Sequence, residues 1–462
     1  MRLNSRPNHM QNKTAEGAPA FSGLTPIQQL RRSVSACLLW EKNAYESGKA
    51  VADIIETYAR KVNPEDLAAL AIYARHSLNL RHAPLLLLDI LTEIGSARKD
   101  GLVRNTFAQV ISRADESGEW ISIYWRNGRK PIAAQAKKGI ADAFRKFDAY
   151  QLGKYDRDSA IKLRDVLRIV HPKPRDAEQA ELWRRVIKDE LESADTWEVA
   201  LSAGANKKET FERLLRTGRL GYLALLRNLR NMEQAKVDHA LINAAIQARK
   251  GARYVLPFRY VAAAKAAPTF EPAIDEAMIA AFAKELKLPG KTAIVIDVSG
   301  SMYGPRVSEK SDMDRALAAA ALGAIARELC EEPLIFATAG NDAHRLHQTE
   351  QVPARRGMAL VDAIYGLRYP LGSGGIFLRQ VCNWLREKLG EHGVDRTIVL
   401  TDEQDCDVFN TKIATPIGHG YLINVSTNTH GVGYGPWTHI DGFSENVLRF
   451  IIEAEAQRMS TQ

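Results

Sequence analysis

Cysteine is scarce in this chain: Cys37, Cys330, Cys382 and Cys406 are its only four, and no two form a Cys-x-x-Cys pair. That spacing excludes a disulfide framework and a thiolate zinc site, and it predicts reduced thiols in a cytoplasmic protein. Long apolar runs are absent too. The longest are short clusters such as Leu85–Leu88, far below the ~20 residues that cross a bilayer. Met1 to Ser22 is polar and lacks the apolar stretch of a secretory signal, so export is not expected. Also missing are a His-Glu-x-x-His pair, a dinucleotide fingerprint and a nucleophile with an adjacent base, which lowers the expectation of an enzyme. Gly290-Lys291-Thr292 suggests the end of a phosphate-binding loop. That loop requires glycine where Glu285 stands and a helix where a strand is expected.

What is present is an ordinary globular composition over 462 residues, 45% hydrophobic and 26% charged, long enough for two or three domains. Charge is unevenly spread. Residues 1–290 hold 47 Lys and Arg against 34 Asp and Glu, whereas 291–462 hold 16 against 21. Such a basic first part suits an anionic polymer, with a solvated basic face as the plainer alternative.

The first part is helical in periodicity. Leu67, Leu70, Ala71 and Ala74 fall at i, i+3, i+4 and i+7, and Val103, Phe107, Val110 and Ile111 also follow a helical spacing; each set fits one helix face. With Pro84 placed where a helix can begin, the pattern predicts stacked antiparallel helix pairs. No repeat of fixed period is evident.

The second part alternates. A strand over 292–298 is expected, then a helix from Asp312 to Cys330, a strand over 334–338, a helix over 376–389 and a strand over 397–401. This order predicts a parallel sheet with helices on both faces. Ligands of such sheets sit beyond the carboxyl ends of the strands, where Asp297 and Asp402 both fall. The segment Ile294-Val-Ile-Asp-Val-Ser-Gly-Ser-Met302 runs a strand into Asp-x-Ser-x-Ser. Asp297 offers a hard carboxylate oxygen, Ser299 and Ser301 offer hydroxyls, and Gly300 allows the bend, a set that suits magnesium or manganese. An ordinary Ser/Gly turn is the plainer reading. The acidic cluster Asp402, Glu403, Asp405 and Asp407 lacks the ligands from several elements that a two-metal nuclease needs.

This second part resembles the von Willebrand factor A domain and its metal-ion-dependent adhesion site. The resemblance implies metal ligands at Asp297, Ser299, Ser301 and Asp402. The family's threonine, expected after Gly374-Gly375, is replaced by Ile376, so Mg2+ or another divalent cation is expected to bind weakly or not at all. Ser373 could stand in only with a remodelled loop.

Three stretches of the first part, Ala74-Arg75-His76-Ser77-Leu78-Asn79-Leu80-Arg81-His82, Leu220 to Leu229 and Val255-Leu256-Pro257-Phe258-Arg259, resemble the TROVE domain of Ro ribonucleoproteins. A fourth, Leu163 to Pro174, is similar to that family's Y RNA-binding segment. The likeness extends over roughly residues 23–450, in the family's own domain order. It implies an all-α ring of HEAT-like helical repeats over 23–286, preceded by a flexible tail over 1–22. An α/β doubly wound, Rossmann-like A domain over 290–455 would follow. It also implies small structured (Y-like) RNA on a basic outer surface and single-stranded ends of misfolded RNA in a central hole.

The residues give a compatible picture. Lys137, Lys138, Arg145, Lys146, Arg164, Arg168, Lys173 and Arg175 concentrate cations that can contact phosphates, while His171, before Pro172 at an expected helix end, can as neutral imidazole bond a phosphate or cap a carbonyl. Arg75, His76, Arg81 and His82 bracket a bend between helices and are candidates for the ring's inner edge, or for pairing with acidic neighbours. Arg227 and Asn228 fall in an apolar helix and are expected to be structural. The resulting expectation is a monomeric, non-catalytic RNA-binding scaffold that assists RNA quality control, with a 3′ exonuclease as partner. The alternative is a metal-dependent protein-binding adaptor acting through the A domain, with an RNA-processing enzyme as a third reading.

Overall fold

The computed structural model describes residues 12–13, 19–20, 25–35, 48–95, 98–126, 128, 131–156, 159–192, 195–255, 258–282, 287–304, 313–403, 405–407, 414–425, 436–441 and 446–459. The tail expected over 1–22 lies outside them, apart from a short antiparallel pairing of Asn12–Lys13 with Pro19–Ala20. Cys37, Leu256, Pro257 and Glu285 lie outside them as well.

From Pro26 to Phe282 the described regular elements are all helical. Local chemistry starts and stops them. Helix Pro64–His76 opens on Asn63, whose side chain accepts the Asp66 N–H at 2.8 Å, with proline in its first turn, the arrangement that satisfies an otherwise unpaired donor. Its apolar face, Leu67, Leu70, Ala71 and Ala74, is buried against helix Ala83–Gly95. Helix Leu102–Val110 packs on Ala134–Phe144, and a Cβ at Gly139 would stand 2.4 Å from that of Phe107. Only glycine lets the two backbones approach so closely.

The helical array holds two cores. One runs from Leu30 to Val186; the other begins at Phe211 and continues without a break into the second domain as far as Ile451. Helix Phe258–Ala266 packs on helix Arg315–Glu328, and Glu271–Phe282 packs on Gly357–Tyr365. At the other end, helix Pro26–Ser35 packs against helix Asn446–Met459 and the strand Trp437–Asp441. The start of the helical array therefore meets the end of the sheet domain, closing the chain on itself. Asn79, at φ +52°, also joins the two halves, its amide donating to the Arg253 carbonyl at 3.3 Å.

The second domain is a six-stranded sheet of β1 (Leu288–Asp297), β2 (Cys330–Asn341), β3 (Leu346–Gln351), β4 (Arg396–Thr401), β5 (His419–Asn424) and β6 (Trp437–Asp441), in the order β3-β2-β1-β4-β5-β6. All neighbours are parallel except the edge pair β2 and β3. Helices Arg315–Glu328 and Gly357–Tyr365 cover one face and Leu378–Leu389 the other, as alternation of strands and helices requires. The expected strands at 292–298, 334–338 and 397–401 are present with somewhat different ends, and β3, β5 and β6 add to them. β1 and β4 are adjacent and parallel, Ile296 opposite Leu400. Asp297 and Asp402 thus emerge side by side at the carboxyl edge of the sheet.

Candidate nucleic-acid interface and Asp-x-Ser-x-Ser loop

Helices Ala134–Phe144, Leu163–Val170 and Ala177–Lys188 pack in succession. The second ends at His171, whose N–H donates to the Leu167 carbonyl at 3.0 Å and whose φ of +48° turns the chain out of the helix. Left-handed geometry is uncommon for a side-chain-bearing residue, so surrounding contacts must hold it. They are visible on the following segment. Arg145 Nε donates to the Lys173 carbonyl at 2.8 Å, and Gln179 Nε2 donates to the Arg145 carbonyl at 3.0 Å. The Arg175 N–H donates to Gln179 Oε1 at 3.0 Å. Gln179 is buried, while Arg168, His171, Lys173 and Arg175 are exposed and Arg145 is half-buried. The sequence thus builds a basic strip whose backbone is tied to a buried amide.

Lys138 is exposed and Lys137 half-buried on the neighbouring helix. Among the described residues, Lys138, Arg168, Lys173 and Arg175 form no ion pair, so their charges face solvent. Arg164 is paired with Asp189 at 3.2 Å, and Arg145 stands 3.7 Å from Asp142. Lys146 is differently engaged, its ammonium donating to the Ala108 and Ile111 carbonyls, both at 2.6 Å.

The second group of candidates divides. Arg75 is only 9% exposed, and its guanidinium donates to the Val110 carbonyl at 2.8 Å and pairs with buried Glu116 at 2.9 Å. Desolvation holds its pKa below the ordinary arginine value. Arg75 is therefore held in packing by an acidic partner, the alternative that its sequence setting offered beside an RNA contact. His76 Nε2 lies 3.1 Å from the Gln109 carbonyl. Arg81 is half-exposed, paired with Asp115 at 3.0 Å and with Glu119. It lines a cleft of about 480 Å3 with His82, Arg113, Glu119, Arg126 and Tyr155. Burial and the adjacent Arg81 push the His82 pKa down to about 4, leaving its ring neutral. Arg113 stacks over the Tyr155 ring at 4.3 Å, a contact not evident in the sequence. Of Arg227 and Asn228, expected to be structural, Asn228 is buried and its amide donates to the Ala224 carbonyl at 2.9 Å, while Arg227 is exposed.

In the Asp-x-Ser-x-Ser loop after β1 the four expected ligands do converge. Asp297 Oδ1 accepts the Ser299 N–H at 2.8 Å and Oδ2 accepts the Thr401 hydroxyl at 2.6 Å. The Ser299 and Ser301 hydroxyls are 3.2 Å apart, and Ser301 Oγ donates to Asp402 Oδ1 at 3.2 Å. A Cβ at Gly300 would stand 2.6 Å from the Ser373 carbonyl, so the glycine is fixed by close packing. Burial, and then the charge of Asp402, push the Asp297 carboxyl up to about 7. Sequence reasoning missed Arg315, which is 1% exposed with Nη1 2.9 Å from Asp402 Oδ2. Its signal was a lone charge in the otherwise uncharged run 315–326. Ile376 is wholly buried in the core on one face of the sheet, and the Ser373 hydroxyl is given to the Arg368 carbonyl at 3.1 Å. As arranged, this donor set does not fit a divalent cation, because a guanidinium already faces the second carboxylate and neither 373 nor 376 supplies an oxygen. Among the described residues no cluster of three or more His, Cys, Asp or Glu side chains could hold a metal ion, and no helix is long and apolar enough to cross a membrane.

The model of the TROVE domain matches residues 187–316, which runs past the boundary expected at 286 and through β1 and its loop. No curated protein sequence matches the chain. Among solved structures, the Deinococcus radiodurans Ro (RSR) protein aligns with a TM-score of 0.62 at 16% identity, covering 92% of this chain and 98% of that one. At that identity the likeness concerns the fold, and it extends over both the helical array and the sheet domain. Residues 187–316 are therefore similar to the TROVE domain, and the chain as a whole shares the fold of that Ro protein.

Proposed function

We propose that this protein is a non-catalytic RNA-binding scaffold of the Ro type. The observation that carries the reading is the strip Arg145, Arg168, His171, Lys173 and Arg175, whose backbone is fastened by Gln179 and of which Arg168, His171, Lys173 and Arg175 are exposed. Exposed cations on a fixed backbone can meet the phosphates of a folded RNA. Affinity comes from counterion release, and selectivity from shape. Lys137, Lys138 and Arg164 extend the strip along the neighbouring helices. A small structured (Y-like) RNA is the ligand this surface suits.

The closed helical array supports the second half of the reading, in which single-stranded ends of misfolded RNA enter the ring beside Arg81 and its cleft. A protein with these two surfaces serves RNA quality control in the cytoplasm as a single-chain ring, handing defective RNA to a 3′ exonuclease. Filter binding with a hairpin RNA, with and without a single-stranded 3′ extension, tests both halves. Salt-sensitive binding strengthened by the extension supports the reading; equal, weak binding of both RNAs at low salt contradicts it.

A further inference from the structure

The Asp-x-Ser-x-Ser loop contains a buried positive charge of its own. Arg315 begins the alanine-rich helix Arg315–Glu328, fixed there because the Asp314 side chain accepts the Leu317 N–H at 2.8 Å. Its guanidinium lies 2.9 Å from Asp402 Oδ2 and 3.5 Å from the Ser301 carbonyl. Asp402 is 0% exposed, so the pair sits where water screens little and where removing one partner strands the other. The other oxygens are also engaged within the loop, Asp297 by the Ser299 N–H and the Thr401 hydroxyl, and Ser301 by Asp402.

We propose that Arg315 is the permanent cation of the Asp-x-Ser-x-Ser loop, standing electrostatically where an A domain of the adhesion type holds a divalent ion. A divalent ion bound to Asp402 and Ser301 at ordinary ligand distances of ~2.1 Å would face the guanidinium beside buried Asp402, a like-charge contact that solvent screens little. Closure of this loop onto the sheet edge is then independent of metal. Any contact the face makes is insensitive to chelators, which separates this domain from a metal-completed adhesion site. The inference is independent of the RNA reading, since none of its residues belongs to the basic strip.

The test uses the full chain with Mn2+ as probe, followed by electron paramagnetic resonance, and thermal unfolding in EDTA or in magnesium. The wild-type chain is expected to leave the free Mn2+ signal unchanged at millimolar metal and to unfold at the same temperature in both buffers. Arg315→Met removes the charge while keeping a long side chain; it is expected to unfold at lower temperature in EDTA and to recover part of that loss with Mn2+. Arg315→Lys keeps a charge and is expected to fold and to remain blind to metal, so the test survives if the methionine variant fails to fold. Saturable Mn2+ binding by the wild-type chain that disappears in Asp297→Asn overturns the proposal. So does an Arg315→Met chain as stable as wild type in EDTA.

Discussion

Gln179 and Arg145 hold each other's place: the glutamine amide donates to the Arg145 carbonyl at 3.0 Å, while Arg145 reaches on to the Lys173 carbonyl at 2.8 Å. One buried amide thereby sets the position of three cations, because the Arg175 N–H donates to the same side chain. Replacing it by leucine leaves a carbonyl and an N–H without their partners, at a cost of about 1–3 kcal/mol. Gln179→Leu is expected to lower the unfolding temperature and to weaken hairpin-RNA binding, although no charge has changed. Unaltered affinity in a destabilised variant would mean that the strip needs no fastening.

Glu116 is expected to behave in the opposite way. It is fully buried, paired with Arg75 at 2.9 Å, and it accepts the Ser112 and Arg113 N–H groups at 3.0 Å each. Glu116→Ala strands the Arg75 charge, a loss of about 3–5 kcal/mol. Chemical denaturation is expected to show this loss, with RNA affinity per folded molecule retained. A selective loss of RNA binding without loss of stability would return Arg75 to the interface.

Asp405 gives a pH dependence of defined sign. Burial pushes its carboxyl up to about 7, against the opposing N–H donors of Leu378 and Asp407 at 3.2 Å each. Because the folded value lies above the unfolded one, this group costs nothing at acid pH. Its penalty grows as pH rises from about 4 to about 7 and is complete above that window. Asp405→Asn keeps an acceptor for both N–H groups and is expected to stabilise the protein at pH 8 by an amount on the order of 1–3 kcal/mol. The gain should vanish near pH 4. A pH-independent difference would place the effect elsewhere than in ionisation.

Much of this architecture is legible in the sequence because its signals are local. Leu67, Leu70, Ala71 and Ala74 show their helix face by spacing, and Asp-x-Ser-x-Ser shows where β1 ends. β3 escapes detection because its burial pattern is that of an edge strand, mostly half-exposed or exposed, without the apolar run that marks a central strand. Arg75 and Arg315 escape for another reason. Their partners, Glu116 and Asp402, lie 41 and 87 residues away, and burial is decided by those pairings. Arg227 and Asn228 are adjacent, yet one is exposed and the other buried, since consecutive positions on a helix point about 100° apart. The exposed cations of the strip carry no periodic signal; they are legible through their concentration along the chain and, over residues 163–174, through the resemblance.

RNA binding by the basic strip is the central claim, and its most direct test is the affinity of the full chain for a hairpin RNA at several salt concentrations, wild type against Arg168→Glu with His171→Glu. Both residues are exposed, so unfolding temperature should be unchanged. Affinity is expected to fall by about tenfold or more, and the salt slope to shrink by about 1 for each phosphate the strip no longer neutralises. Equal affinity and equal slope in the two proteins would contradict the assignment of this surface to RNA.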